Sequence, residues 1–161
     1  MKKPIWIIVG VLAILVAVRI GLSMASRPSD QEQIRKALDD SIKASKEGRP
    51  GGVMDLMSNH LTYNEQDTSS AMGQVAQVIK KQRPDVTVDD ETASISGDNA
   101  QITSPVDLTL EFLGQKRTFH IKDVVLKFHK EPATEWLVIP TTQWKLVEVQ
   151  APSFSPDNFY G

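Results

Sequence analysis

The sequence predicts an α+β domain in which three helices pack on a curved, mostly antiparallel sheet of about four to six strands, preceded by an N-terminal transmembrane helix. Three observations lead there. Residues 4–18 carry no charge. The apolar pattern from Asp30 to Pro84 has the spacing of helices. Beyond Pro84 it changes to alternation, with one apolar face in each strand.

The first segment follows Met1-Lys2-Lys3 and reads Pro4-Ile-Trp-Ile-Ile-Val-Gly-Val-Leu-Ala-Ile-Leu-Val-Ala-Val18. After Arg19 it resumes as Ile20-Gly-Leu-Ser-Met-Ala25. Residues 4–25 as a helix would span about 33 Å, enough to cross a hydrocarbon core of about 30 Å. Arg19 can snorkel to one interface and Trp6 sits near the other. The competing reading is a signal peptide cut after Ala25, with Ser23-Met24-Ala25 as the small-residue site. Either way the domain is expected outside the cytoplasm: single-pass with a cytoplasmic N-terminus if anchored, secreted or periplasmic if cleaved. The expected organisation is an anchor and linker over 1–28, a domain over 29–150, and a tail over 151–161.

Ser29 with Glu32 has the form of a capping box, so a helix should begin near Asp30. Ile34, Leu38 and Ile42 supply its buried stripe, and Gly48-Arg-Pro-Gly-Gly52 ends it. A short helix is expected over 53–57, then Leu61-Thr-Tyr63 as an extended piece. Thr68-Ser-Ser70 can cap a third helix that reaches about Gln82, with Met72, Val75, Ala76 and Ile79 inward and Pro84 stopping it.

Val86, Val88, Ala93 and Ile95 read as one strand, with Gly97-Asp98-Asn99 as the turn. Ile102, Val106, Leu108, Leu110 and Phe112 share one face of the next. In the third strand the parity slips. Phe119 and Ile121 are odd, whereas Val124, Leu126 and Phe128 are even. One extra residue near Lys122-Asp123 restores a single apolar face, which is the signature of a β-bulge. The last strand runs over 136–150, and Pro140 marks an edge or a bulge.

Charge and composition exclude several functions. Lys2, Lys3, Arg19 and Arg27 precede every acid, so 14 of the 18 Lys/Arg remain against all 20 Asp/Glu after Ser29, a net charge of about −6. Such a domain lacks the basic footprint of nucleic-acid binding. With no cysteine, disulfides, Cys-ligated zinc and thiol catalysis are excluded. No phosphate-binding glycine loop, serine elbow or dinucleotide fingerprint is present, and no cofactor or metal is expected. His120 and His129 should share a face without a third ligand, and His60 has no partner at ligand spacing. Asp89-Asp90-Glu91 reads as a solvated strand end rather than a calcium loop.

The order of elements resembles the nuclear transport factor 2-like (cystatin-like) superfamily over about 30–150. The resemblance rests on Ile34-x3-Leu38-x3-Ile42, the break at Gly48–Gly52, Val53-Met-Asp-Leu-Met57 and Gln143-Trp-Lys-Leu-Val147. It implies a cone-shaped fold with a pocket between helices and sheet. The superfamily includes isomerases, dehydratases and hydrolases as well as non-enzymatic binding and assembly domains, so fold alone does not give function. In the enzymes, acids, His or Tyr point into the pocket. Here the expected pocket or core positions are Leu108, Leu110, Phe112, Phe119, Ile121, Leu126, Phe128 and Trp144, all apolar or aromatic. Tyr63 and Asp67 are the catalytic candidates, because this connection borders the cone's mouth in the family and a phenol with a carboxylate could support proton transfer. Trp136 and Trp144 are core or sheet-edge residues, or else an aromatic lip for a partner.

The expected function is therefore binding: a small apolar ligand, a second copy in a homodimer, or an envelope protein, with the membrane reached through 4–25. The alternatives are an enzyme on a small hydrophobic substrate and a scaffold subunit of a membrane assembly.

Overall fold

The computed structural model describes residues 28–112, 114–135 and 139–154. The expected membrane segment at 4–25 lies outside them; among the described residues no helix is long and apolar enough to cross a membrane.

Helix α1 spans Asp30–Lys46 and opens on the expected capping box: the Ser29 hydroxyl accepts the Glu32 N–H at 3.3 Å, and the Glu32 carboxylate accepts the Ser29 N–H at 2.8 Å. Helix α2 is Pro50–Met54, three residues earlier than the sequence suggests. Pro50 explains the shift, since its fixed φ and missing N–H suit the first turn of a helix. Met57 thereby falls into a strand. After a 3₁₀ turn at Ser69–Ala71, helix α3 covers Met72–Gln82 and buries Ile79. It ends on Arg83 in the left-handed conformation (φ 45°), just before Pro84.

The strands are β1 (Met57–Tyr63), β2 (Gln66–Asp67), β3 (Asp85–Val88), β4 (Ser94–Ser96), β5 (Asn99–Phe112), β6 (Gln115–Glu135) and β7 (Ile139–Gln150). They form one sheet in the order β2-β1-β7-β6-β5-β3, with β4 also on β5. Among the described residues only the β1–β7 pairing is parallel.

Seven strands replace the expected four to six, for two physical reasons. β1 and β2 form a hairpin whose two-residue turn, Asn64-Glu65, has positive φ at both positions, so it needs no glycine signal. The stretch expected as a single strand over 86–95 is interrupted at Asp89-Asp90-Glu91. Here the chain is held by side contacts instead: Asp89 N–H to the Pro105 carbonyl at 3.2 Å, and Asp90 N–H to the Ser104 hydroxyl at 2.8 Å.

The bulge lies where parity puts it. Ser104 faces Val124 and Val106 faces Ile121, so Lys122 and Asp123 together oppose Pro105, and Asp123 takes φ 57°. Proline has no N–H to give the ladder, so the mismatch falls where a bond is already missing. Across the bulge Ile121, Val124, Leu126 and Phe128 all stay buried on the concave face, with Ile102 and Val106 beside them. Helix α1 lays Ile34 and Leu38 into the same core. A smaller core of Ala44, Val53 and Ile79 joins the three helices.

Candidate binding site: the concave face and its rim

The inward residues of β5, β6 and β7 alternate as strands require, so one face collects their apolar side chains. Leu110, Ile121, Leu126, Phe128 and Trp144 are buried there, while Leu108 and Phe119, which pair across β5 and β6, are half-buried. The side chain of Phe112 lies outside the described residues. Phe128, Ile34 and Ile102 are the largest fully enclosed side chains. Ser104 is the polar residue buried on this face, and its hydroxyl is used by Asp90 N–H and the Pro105 carbonyl. Among the described residues no buried side-chain polar atom lacks a partner.

A polar cluster closes the rim beside the start of α1. The Asp30 carboxylate accepts the Trp144 indole N–H at 3.2 Å and pairs with the Lys130 ammonium at 3.0 Å. That ammonium also lies 5.0 Å from the centre of the Trp144 ring. The Lys130 hydrogen bond holds the Asp30 carboxyl below the usual carboxylate range, against the opposing effect of burial. Aspartate in the first helical turn and an indole needing an acceptor are both visible in the sequence, but their meeting depends on tertiary structure.

The structure does not bring Tyr63 and Asp67 together. Tyr63 is opposite Gln66 and Asp67 opposite Thr62, so their side chains leave opposite faces of the β1–β2 hairpin. The Tyr63 hydroxyl donates to the Phe154 carbonyl at 2.9 Å, and burial pushes its phenol above the ordinary value. Phe154 in turn meets the Phe119 ring edge-on at 6.4 Å. Asp67 accepts the Ser69 N–H at 2.9 Å and hydroxyl at 2.8 Å; that N–H is the main reason its carboxyl is lowered. Asp67 thus caps the turn into α3.

The opposite, convex face is polar. His120 meets Asp107 at 2.6 Å and His129 meets Asn99 at 2.9 Å, so the two histidines serve separate cross-strand pairs. Lys127 pairs with Glu148 at 2.7 Å, which lowers the Glu148 carboxyl. Glu131 accepts the hydroxyl of the buried Ser58 at 2.5 Å. No group of three metal-ligating side chains occurs among the described residues. Between α1 and α2 lies an open groove of about 450 Å³, lined by Asp40, Lys43, Arg49 and Asp55 around Ala37 and Leu56.

No family model and no curated protein sequence matches this chain. Solved structures do. An NTF2-like protein with a cystatin-like fold from Novosphingobium aromaticivorans matches over 90% of this chain and 93% of its own, with TM-score 0.55 and 14% identity. The domain has the NTF2-like fold. The CaMKII hub of S. rosetta is similar over 77% of this chain and 96% of its own (TM-score 0.55, 15% identity). A candidate ketosteroid isomerase from Shewanella frigidimarina covers 71% and 90% (TM-score 0.51, 16% identity). At such identities the likeness is one of fold, and NTF2-like domains of different occupation share it.

Proposed function

We propose that this NTF2-like domain is a membrane-anchored, extracytoplasmic binding module that associates with protein, a second copy of itself included, rather than a catalyst. One observation carries the reading: the side chains lining the concave face are apolar and packed against α1, and the polar groups at its rim already satisfy one another. A general acid or base must reach a substrate from within a pocket. Here Asp30 is committed to Lys130 and Trp144, and Tyr63 to the Phe154 carbonyl. The likeness to a hub domain supports association as the mode of action.

The exposed surface supports a reversible partnership. Among the described residues the large hydrophobics left exposed are two, Val78 on α3 and Ile95 on β4, too few for a broad apolar patch. An obligate dimer buries a broad apolar area, whereas non-obligate interfaces are about as polar as the rest of a surface. The uncharged segment 4–18 and the lysines before it support anchoring with the domain outside.

The test is the mass of the full chain in detergent, measured by light scattering over a range of concentrations, with an apolar fluorescent probe added in parallel. A concentration-dependent dimer or larger assembly that adds nothing to the probe's fluorescence in the detergent alone is expected. A strict monomer taking up one probe per chain would replace this reading with a small-ligand or enzymatic one. Because the chain has no cysteine, Thr92→Cys supplies a single thiol for orientation. A membrane-impermeant maleimide should label it from outside intact cells.

A further inference from the structure

The sheet is not evenly trimmed. β5 begins at Asn99, opposite His129, and β1 begins at Met57, opposite Leu146. β6 and β7 continue alone past both, through five more pairs from Glu131↔Gln143 to Glu135↔Ile139. A two-stranded arm therefore projects from one end of the domain, about 17 Å long at about 3.3 Å per residue.

The same end receives the chain from the membrane segment. Asp30, at the start of α1, is bonded to Lys130 and Trp144, at the base of the arm. The far end of α1 reaches β3: the Ser45 hydroxyl donates to the Pro84 carbonyl and Lys46 pairs with Asp85. Asp85 is level with Thr109, and Thr109 with Thr118 of β6. Thus α1 runs against β6 from the level of Lys130 towards that of Thr118. Traced backwards, residues 29 and 28 leave the domain at the end from which the arm projects.

We propose that the β6–β7 arm rests on the bilayer surface, as a second point of contact beside the anchor; the inference depends on the proposed anchoring of 4–25. The argument is one of lengths. From the end of that segment at Ala25 to Asp30, where α1 begins, there are five Cα–Cα steps, a span of about 17 Å at full extension. The arm is as long, so a domain held this closely brings it to the headgroup layer. Its composition suits that place. Beyond Glu131, which turns to Ser58, the arm strands Pro132-Ala-Thr-Glu135 and Ile139-Pro-Thr-Thr-Gln143 hold one charge, in a chain that is 24% charged. Pro132 and Pro140, one on each strand, blunt its two open edges against a further strand, which disfavours a second copy as the occupant.

The experiment uses the full chain in phosphatidylcholine vesicles, with one thiol introduced by Thr134→Cys on the arm or by Gln115→Cys at the opposite end of β6. Each is labelled with an environment-sensitive fluorophore, and nitroxide lipids spin-labelled near the headgroup serve as quenchers. Quenching at least several-fold stronger at position 134 than at 115 is expected. Thr142→Cys, on the neighbouring arm strand, should repeat the result if the first variant folds poorly. Equal, weak quenching at all positions, in protein that stays with the vesicles through an alkaline wash, would overturn the arm contact and leave the anchor standing. Loss of the protein in that wash would overturn both.

Discussion

The Trp144 indole donates to the Asp30 carboxylate across 3.2 Å and so ties the last strand of the sheet to the first turn of the first helix. The two residues are 114 positions apart, and Lys130 completes the contact from β6. The result is a polar clasp over an apolar interior, at the point where the chain enters the domain. Opening it would take from the indole N–H and the ammonium their charged acceptor, and hydrogen bonds to charged groups cost more to lose than neutral ones.

Asp30→Asn should therefore destabilise the domain by about 1 kcal/mol, below the buried-pair range because the carboxylate is about one-third exposed. The pH dependence follows from the lowered Asp30 carboxyl. A carboxyl depressed on folding adds stability that is complete above its unfolded value, about 3.9, and is lost as pH falls through the folded one. Urea melts at pH 7 should separate the two proteins, and the gap should close as the pH drops below the usual carboxylate range. A gap that stays constant down to pH 2 would show that the charge of Asp30 is not what matters.

Tyr63→Phe tests whether this phenol is structural. It removes the bond to the Phe154 carbonyl while keeping the ring, at a cost of about 1 kcal/mol. Because burial raises the Tyr63 phenol, its stabilisation is present below the unfolded value near 10 and is lost as pH climbs through the folded one. Phenolate absorbance should show one tyrosine titrating late, and the variant should lack that step. If association is the function, oligomeric mass should not change; a variant that lost it would give Tyr63 a direct role.

Helices α1 and α2 approach so closely that a methyl group added at Gly52 would lie 2.6 Å from the Ala44 Cβ. Gly52→Ala should cost about 1–3 kcal/mol, since backbone has to move to admit it. Gly51→Ala is the matched control, with nothing within 4 Å. It should be neutral or stabilising by up to about 1 kcal/mol, because alanine is the better helix former. Thermal melts of the pair decide it, and equal shifts would mean the helices are not held at this distance.

The legible parts of the sequence were those governed by local rules. Ser29 and Glu32 announce a helix start through their own side chains, and Val106 to Phe128 announce a concave face through alternation broken once, at Lys122-Asp123. β1 was harder to read because Met57-Ser-Asn-His-Leu-Thr-Tyr63 gains its strand character from lying parallel to β7, a partner more than 80 residues away. The rim cluster was illegible for a similar reason. Asp30, Lys130 and Trp144 each look like ordinary surface or core residues until the fold juxtaposes them. Tyr63 and Asp67 looked like a pair because they are four residues apart, but the Asn64-Glu65 turn sends them to opposite faces of a hairpin.

The bulge offers the sharpest test of how sequence parity fixes the interior. With Lys122 and Asp123 both opposing Pro105, Phe119 and Ile121 face the same way as Val124, Leu126 and Phe128. Deleting Lys122 alone would restore one-to-one pairing and turn one of these sets to the convex face. Exposing Ile121 alone forfeits about 2 kcal/mol of burial, and with Phe119 the loss approaches the whole stability of a marginal domain. Asp123→Gly keeps the residue count and suits φ 57°, so it should shift stability by less than about 1 kcal/mol in either direction. Circular dichroism melts should find the deletion largely unfolded and the glycine variant native. A deletion variant that melts with the parent would mean the register can slip without cost, and the single apolar face would then owe nothing to the extra residue.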